Sequence, residues 1–302
     1  MTLAIVIPYY KLKFFEATLQ SLASQTDNRF KVYIGDDASL EDPSALLEKY
    51  KDHVEFKYHK FENNLGGISL VKQWERCIAL TQNVDWLMIL GDDDVLGETV
   101  VASWYKNYDL FNGKSNVVRF ASRFIYDESR PISEIYTHPI WELATDSFYR
   151  KHEYLTRSSL SEHIFSRAVY NKYGFHEFPL AWYSDDLAWL QFSDNKPIFS
   201  INESLVYVRV SKISISGKVD NVSQKDLATL KFYKFIILKK FSFYNKQQRK
   251  QLLDKYENTI RHIRKIYLSE WFLIFFCYLK YFDSYSLKKV LKRFIKSMLR
   301  YD

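Results

Sequence analysis

Three consecutive aspartates follow an apolar run in the segment "MILGDDDVLG", residues 88–97: Asp92, Asp93 and Asp94. Two like charges about 4 Å apart repel by roughly 4 kcal/mol at an effective dielectric near 20. The cluster is therefore stable only if the carboxylates splay into water, cap the following helix or share a cation. Carboxylate oxygens are ligands that Mg²⁺ and Mn²⁺ prefer. The triplet predicts a divalent-metal site, with a solvated turn or a helix cap as the alternative.

Two acidic pairs accompany the triplet. Asp36 and Asp37 stand in the segment "GDDAS", and Asp185 and Asp186 stand in "YSDDLAW". A carboxylate at a strand end can accept hydrogen bonds from a nucleotide base or ribose, and one beside an acceptor hydroxyl can act as a general base. Each pair can instead form an Asx-type turn or a helix N-cap. One loop can also provide a cap and a functional carboxylate at the same time.

The elements that must position these residues alternate along the first 120 residues. The hydrophobic pattern predicts strands at 3–8, 31–35, 54–59, 85–90 and 116–121. Helices are predicted at 14–24, from residue 43 onward, at 68–80 and at 98–110. Such alternation is typical of βαβ units and a largely parallel sheet, in which ligands bind at the carboxyl ends of the strands. We therefore expect "PYY" (8–10), the first acidic pair and the triplet to meet at one sheet edge. The stretch 121–222 is less regular, and it closes with strands expected near 198–201 and 205–210.

The composition is that of a globular protein. The chain has 302 residues, of which 47% are hydrophobic, with only 8 Gly and 6 Pro. Cys77 and Cys277 are far apart in the sequence, so neither a disulfide framework nor a metal–thiolate motif is expected. We expect the protein to be found in a reducing compartment. The apolar run at the N-terminus is too short for a signal peptide and lacks a basic leader, so we expect it to be the first strand.

Charge is distributed unevenly. Residues 223–302 contain 19 Lys and Arg against 6 Asp and Glu, while residues 1–222 carry a net charge of −6. A mildly acidic body with a basic tail argues against a nucleic-acid binder, whose whole surface would be basic. Residues 286–301 predict a two-faced helix with six basic residues, and the nine apolar residues at 271–279 are fewer than the roughly 20 that span a membrane. The segment 271–301 either contacts an anionic membrane surface or packs on the body.

The ordered segments "AIVIPYY", "SLASQT", "VYIGDDAS", "NNLGG" and "GDDDVL" resemble the signature of family 2 glycosyltransferases, over roughly residues 1–220. The resemblance implies the α/β fold called GT-A, with a Rossmann-like, mostly parallel sheet flanked by helices. It implies a catalytic domain at 1–222, with a nucleotide-sugar-binding half at 1–120 and an acceptor-side half at 121–222. A helical, basic and aromatic region at 223–302 would follow.

The resemblance also implies roles for individual residues. The nucleoside would lie against Pro8, Tyr10, Asp36, Asp37, Gly66 and Asp92. The metal would bind Asp93 with support from Asp94, although strand alternation alone would place Asp92 and Asp94 on one side. Gly91 stands where the family pattern often has its first aspartate. Asp186, with Asp185 beside it, would be the general base. Contacts to the nucleotide or its diphosphate are expected from Lys72 or Arg76, and from Arg209 and Lys212.

The expected activity is inverting transfer of a sugar from a nucleotide-sugar donor, UDP-linked, with Mn²⁺ or Mg²⁺. The acceptor would be a saccharide or a lipid-linked saccharide in surface-polysaccharide synthesis, and the enzyme would be cytoplasmic, peripheral on the inner face of the membrane. A sugar nucleotidyltransferase is an alternative, but it needs a Gly-rich basic loop after the first strand, which "PYYKLKFF" lacks. A non-catalytic saccharide- or membrane-binding protein and a glycoside hydrolase are further alternatives.

Overall fold

The computed structural model describes residues 2–126, 132–211, 214, 217 and 220–299. These residues divide into two compact units, Met1–Asp220 and Asn221–Asp302. Lys212, one of the residues expected to contact the diphosphate, lies outside the described residues.

The first unit is built on a nine-stranded sheet. Its strands are β1 Leu3–Tyr9, β2 Phe30–Asp36, β3 Phe56–Lys60, β4 Trp86–Ile89, β5 Val95–Leu96, β6 Val117–Tyr126, β7 Trp141–Glu142, β8 His163–Ser166 and β9 Ile198–Val210. They are ordered β3-β2-β1-β4-β8-β6-β9-β5, and β7 also pairs with β9. The first four of that order run parallel to one another, whereas β8 is antiparallel to both neighbours.

Helices cover the sheet. They are α1 Phe15–Ala23, α2 Ser44–Tyr50, α3 Leu70–Ala79, α4 Val100–Lys106, α5 Tyr108–Phe111, α6 Ala144–His152, α7 Arg167–Tyr173 and α8 Ser184–Phe192, with a 3-10 turn at Pro179–Ala181. Every residue of β1 from Leu3 to Ile7 is buried, so this strand is covered on both faces, as expected in a parallel sheet. The α/β fold expected from the sequence is confirmed.

The observed elements differ from the sequence expectation in three main features. The helix expected at 98–110 is interrupted at Asn107, which separates α4 from α5. The two strands expected near 198–201 and 205–210 are one strand, β9, whose pairing with β6 shifts register between Phe120 and Ala121. The antiparallel β8 was not expected, because its four residues carry no alternation long enough to distinguish a strand.

The second unit is helical. It contains α9 Val222–Lys239, a 3-10 turn at Phe241–Phe243, α10 Lys246–Ile263, α11 Leu268–Tyr281 and α12 Ser284–Leu299. Its core includes Phe232 and Ile236 of α9 and Leu252 and Ile260 of α10, all with no exposed surface. In the described part of the chain, no helix is both long and apolar enough to cross a membrane.

Candidate active site

The parallel pairing of β1 with β2 and β4 brings the predicted strand-end segments together. Tyr9, the last residue of β1, is the register partner of Asp36, the last residue of β2. The backbone N–H of Asp37 donates to the Tyr9 carbonyl at 3.0 Å. The triplet follows β4, the strand on the other side of β1. The carboxyl ends of three adjacent strands therefore carry most of the predicted site.

The Asp36 carboxylate stabilises the turn that follows β2. Its side chain is fully buried; one carboxylate oxygen accepts the Ser39 N–H at 2.7 Å and the other accepts the Tyr58 hydroxyl at 2.6 Å. Burial and this carboxylate both raise the pKa of Tyr58. The turn contains Ala38, whose φ of 54° is a left-handed conformation that costs a non-glycine residue roughly 1 kcal/mol. Asp36 therefore fixes the backbone from which Asp37 projects.

Asp37 connects β2 to the "NNLGG" loop. Its carboxylate accepts backbone N–H groups from Leu65 at 2.7 Å and from Gly66 at 2.9 Å, and it forms an ion pair with Arg76 of α3. A Cβ at Gly66 would lie 2.5 Å from an Asp37 carboxylate oxygen, so glycine is required for this approach. Arg76, one of the two basic residues expected here, also stacks 3.9 Å from the Phe61 ring.

The first wall of the predicted nucleoside site is Pro8 and Tyr10. Pro8 is partly buried within β1, and Tyr10 is 42% exposed, so its ring is accessible for stacking on a base. The backbone N–H of Tyr10 donates to Asp92 at 2.7 Å. Tyr10, which follows β1, is thus hydrogen-bonded to the triplet that follows β4.

The three aspartates of the triplet differ in what they already bind. One oxygen of Asp92 accepts the N–H groups of Tyr10 and Lys11, at 2.7 and 2.8 Å. Asp94 accepts the Ser161 hydroxyl at 2.5 Å and the Arg209 N–H at 2.7 Å. Asp93, within the described part of the chain, receives no hydrogen bond on its carboxylate. Asp93 is therefore the carboxylate available to a ligand.

The charge of the triplet is poorly compensated. Burial, together with the neighbouring Asp94 and Asp92, raises the pKa of Asp93 to about 8. Burial also raises the pKa of Asp94 to about 6 and that of Asp92 above its usual range. Each shift means that the surroundings disfavour the charged form of the carboxylate.

These residues could hold a divalent cation only together with a bound phosphate group. Among the described residues, no three His, Cys, Asp or Glu side chains are grouped so as to hold a metal by themselves. Mg²⁺ is commonly bound through one or two carboxylates plus substrate phosphates and water. A Cβ built on Gly91 would lie 3.1 Å from an Asp93 oxygen and 2.9 Å from an Asp94 oxygen, so both carboxylates face this glycine. Asp93 and Asp94 can supply such a partial site.

The second acidic pair begins α8 after a strained segment. Leu180, Ala181 and Tyr183 all have positive φ, a rare conformation for these residues that is often found at functional sites. Asp186 is buried, and both its oxygens accept hydrogen bonds from Lys151 Nζ at 2.7 Å. Asp185 is half-buried, and burial together with the Asp186 charge raises its pKa to about 7.

Lys151 was not identified from the sequence. It lies in the last turn of α6, in a run of basic residues that nothing distinguishes from a solvated helix end. Burial lowers its pKa, but the charges of Asp186 and Asp185 outweigh burial and raise the pKa overall. The Lys151 ammonium therefore compensates part of the negative charge of the acidic pair.

A buried charged cluster lies close enough to Asp94 to affect its pKa, which Arg157 lowers and Glu162 raises. Glu162 is fully buried, accepts the Ser159 N–H at 2.7 Å and pairs with Arg157 at 3.2 Å. Arg157 in turn donates to the Ser122 hydroxyl at 2.5 Å. The His163 ring stacks on Trp189, and burial holds the pKa of His163 well below the usual range. Arg157 and Glu162 form an ion pair and His163 is neutral. We therefore interpret these three residues as positioning their neighbours.

Arg209, expected near the diphosphate, lies beside the triplet. Its Nε donates to the Asp93 carbonyl at 3.0 Å, and its guanidinium stacks 4.1 Å from the Phe14 ring. Lys72 lies in the first turn of α3, where its N–H is capped by Ser69. A separate groove of about 640 Å³ between α1, β5 and β9 is lined by none of the predicted aspartates.

Comparison with known proteins identifies the family and the fold. The family model for glycosyl transferase family 2 matches residues 4–177. No curated protein sequence is significantly similar to the chain. Among solved structures, S. aureus TarS 1–349 in complex with UDP-GlcNAc has a TM-score of 0.65 at 17% identity, covering 91% of this chain and 79% of that one. The same fragment in complex with UDP has a TM-score of 0.61 at 17% identity, covering 89% and 77%. S. aureus TarS itself has a TM-score of 0.62 at 17% identity, covering 91% of this chain and 47% of that one. The α/β sheet with its flanking helices is the GT-A fold, and the chain belongs to glycosyl transferase family 2 and is a glycosyltransferase.

Proposed function

We propose that this enzyme transfers a sugar, with inversion, from a UDP-sugar to a saccharide or lipid-linked saccharide in cell-surface polysaccharide synthesis. The observation that carries the proposal is the convergence of the "PYY", "GDDAS" and "GDDDV" segments on three adjacent strand ends, in a family 2 domain. The complexes of TarS with UDP-GlcNAc and with UDP support a uridine nucleotide as the donor's leaving group.

The donor nucleoside would bind at the ends of β1 and β2. Tyr10 offers an exposed ring for stacking on the base. Asp37 has hydrogen-bonding partners on the Gly66 loop and Arg76, so it would act with that loop as one rigid wall. Asp36 would contribute by fixing the turn, and Asp92 by fixing the backbone of Tyr10.

Asp93, with Asp94 beside it, would hold Mn²⁺ or Mg²⁺ together with the donor's diphosphate. Such a cation would stabilise the charge that develops on the leaving diphosphate. Asp93 is the member of the triplet whose carboxylate accepts no hydrogen bond from the described residues. The Arg209 guanidinium, held against the Asp93 backbone, would add positive charge at the same edge.

The Asp185–Asp186 pair would supply the general base. In the transfer step an acceptor hydroxyl oxygen attacks the anomeric carbon, the bond from that carbon to the diphosphate oxygen breaks, and the hydroxyl proton passes to the carboxylate. The resemblance assigns this role to Asp186, which Lys151 holds in one orientation. Asp185, whose pKa is raised to about 7 by burial and by the Asp186 charge, would complete the pair.

The C-terminal region would keep the enzyme at the inner face of the cytoplasmic membrane, near a lipid-linked acceptor. The support is the charge of residues 223–302, which contain 13 more basic than acidic residues. An anionic leaflet attracts such a segment by about 1 kcal/mol per Lys or Arg close to the surface.

The donor proposal is tested by thermal shift with UDP, GDP, ADP and a set of UDP-sugars, each with Mn²⁺ and with EDTA. A ligand that binds only the folded protein stabilises it by about 2.7 kcal/mol at 100 times its Kd. We expect a shift with uridine nucleotides in Mn²⁺ that EDTA abolishes. A larger shift with GDP would reject the uridine donor, and an equal shift in EDTA would reject the metal.

A further inference from the structure

Helix α11 carries an apolar stripe on its exposed side. Leu268, Phe272, Phe276 and Leu279 are spaced by four, four and three residues, so they share one face. Phe272 is 72% exposed and Phe276 is 58% exposed. The opposite face of the helix packs inward through Trp271, Ile274 and Tyr278. The exposed side chains are therefore additional to those that the core needs.

Helix α12 divides its apolar residues between two directions. Val290 is fully buried, whereas Leu291, Ile295 and Met298 are exposed and lie on one face at spacings of four and three. The sequence pattern placed all of these on a single face. The structure assigns one part to the core and leaves the other part in solvent.

The two exposed stripes lie on the same side of the α11–α12 pair. The helices meet where the Phe294 ring contacts Trp271 and Phe275, each at 5.4 Å between centroids. On the inward side of this contact, Arg293 pairs with Glu257 of α10 at 2.9 Å. Leu291, Ile295 and Met298 lie on the other side of Phe294 from Arg293, as helical geometry requires.

The same geometry places the α11 stripe on the outward side of Phe275. We call the combined surface the apolar patch. It consists of Leu268, Phe272, Phe276, Leu279, Leu291, Ile295 and Met298.

Lysines border the apolar patch. Lys288, Lys292 and Lys296 are exposed and follow one another at four-residue spacing along α12, beside the stripe of Leu291 and Ile295. Lys280 at the end of α11 lies 5.7 Å from the Phe276 ring. Helix α12 contains five basic residues and no acidic residue. A surface with an apolar centre and a cationic border is typical of helices that lie in the interface of an anionic bilayer.

We propose that the apolar patch is the surface by which this enzyme docks on anionic lipid. Phe272 and Phe276 enter the boundary between headgroups and acyl chains, and Lys288, Lys292 and Lys296 contact lipid phosphates. The inference rests on the membrane contact proposed above and names the surface that makes it. It does not depend on which sugar is transferred.

The test is co-sedimentation of the full chain with vesicles of phosphatidylcholine containing 30% phosphatidylglycerol, and with pure phosphatidylcholine vesicles. We expect binding to the anionic vesicles at low salt, weakening as salt rises. The double variant Phe272→Ser/Phe276→Ser should bind at least tenfold more weakly. The triple variant Lys288→Gln/Lys292→Gln/Lys296→Gln should lose roughly 100-fold, at about fivefold per lysine.

Matched controls lie in the same unit. Phe243→Ser removes an exposed phenylalanine outside the patch, and Lys231→Gln/Lys234→Gln/Lys239→Gln removes three exposed lysines from α9. Both controls should bind vesicles within about twofold of the parent chain. All substituted side chains are exposed, so every variant should keep the parent melting temperature, which thermal shift checks.

Three outcomes would overturn the proposal. The parent chain could stay in the supernatant with anionic vesicles at low salt, or the controls could lose as much binding as the patch variants. Light scattering could instead show a dimer that Phe272→Ser/Phe276→Ser converts to a monomer, which would make the patch an interface between copies. The UDP and Mn²⁺ thermal shift, measured on the same samples, reports separately on the donor proposal.

Discussion

At the scale of single residues, the candidate site separates carboxylates that shape the backbone from carboxylates that remain available. Asp36, Asp92 and Asp94 each accept two hydrogen bonds from the protein. Asp93 accepts none among the described residues, and its pKa is raised to about 8. A half-buried carboxylate with no hydrogen-bond donor is costly for the folded protein when it is charged. A bound cation would offset this cost, so Asp93 is the residue whose replacement should separate ligand binding from stability.

We expect Asp93→Asn to abolish the Mn²⁺-dependent part of UDP binding and to leave the metal-free protein at least as stable as the parent. The substitution removes the metal ligand and also removes repulsion with Asp92 and Asp94. Isothermal titration with UDP in Mn²⁺ and in EDTA, with a melting curve of each protein, measures both effects. Asp109→Asn, at an exposed position in α5, makes the same charge change away from the site and should alter neither. Unchanged UDP affinity in Asp93→Asn would remove this residue from the metal site.

The acidic pair before α8 should be visible in the pH dependence of transfer. The pair can take up the proton of the acceptor hydroxyl only when it does not already hold one, so kcat/KM should rise with pH through about 7 as Asp185 loses its proton, and then level off. Asp186→Asn should keep UDP binding but lower kcat by roughly 100-fold or more. Asp185→Asn should keep more activity and lose the inflection near pH 7. If Asp186→Asn retained near-normal turnover and Asp185→Asn did not, the two roles would be exchanged.

The sequence did not predict which side chains contact which of these aspartates. The carboxylates were identifiable because they stand together after apolar runs. Lys151, Arg76 and Ser161 are 35, 39 and 67 residues from the aspartates that they contact. Nothing local in a basic or hydroxyl side chain specifies such a distant contact, because the sheet order and helix packing decide it. The sequence therefore predicted the acidic groups, and the family resemblance placed Arg76 near the nucleotide, but neither predicted that Arg76, Lys151 and Ser161 bind these carboxylates.

At the scale of elements, the parallel half of the sheet was predictable and the antiparallel half was not. Strands β1, β2 and β4 are continuous apolar runs separated by amphipathic helices, so their pattern is specific to buried parallel strands. In contrast, β5 and β7 contain two residues each and exist only through pairing with β9. Such short strands depend on the strand they pair with, and two residues are too few to show the hydrophobic alternation that predicts a strand.

The turn after β2 offers a test at this scale. Ala38 has a φ of 54°, where glycine adopts the backbone without strain, so Ala38→Gly should stabilise the protein by up to about 1 kcal/mol. Ala102→Gly, in the middle of α4, is the matched control and should destabilise it by about 0.5–1 kcal/mol. Urea unfolding of the two variants measures the difference in sign. Equal destabilisation by both would show that the turn relaxes to a negative φ in solution.

At the scale of the whole molecule, the two units differ in charge as well as in architecture. Residues 1–222 carry a net charge of −6 and residues 223–302 a net charge of +13. The predicted domain boundary after residue 222 lies two residues from the division between Met1–Asp220 and Asn221–Asp302. We propose that the catalytic and C-terminal regions are separate domains in function. Donor binding would then belong to the first and lipid binding to the second.

We expect a chain ending at Asp220 to fold, bind UDP in Mn²⁺ and fail to bind anionic vesicles. The nine strands found in the described residues lie between Leu3 and Val210, so the shortened chain keeps all of them together with helices α1 to α8. Its acidic balance should make it bind an anion exchanger at neutral pH, whereas the full chain, at +7, binds a cation exchanger. Near-UV circular dichroism and a cooperative melting transition test folding, and the UDP thermal shift should match that of the full chain. A shortened chain that aggregates, or that melts without cooperativity, would show that the first unit needs the second to complete its core. A shortened chain that folds but gives no shift with UDP would place part of the donor site beyond Asp220.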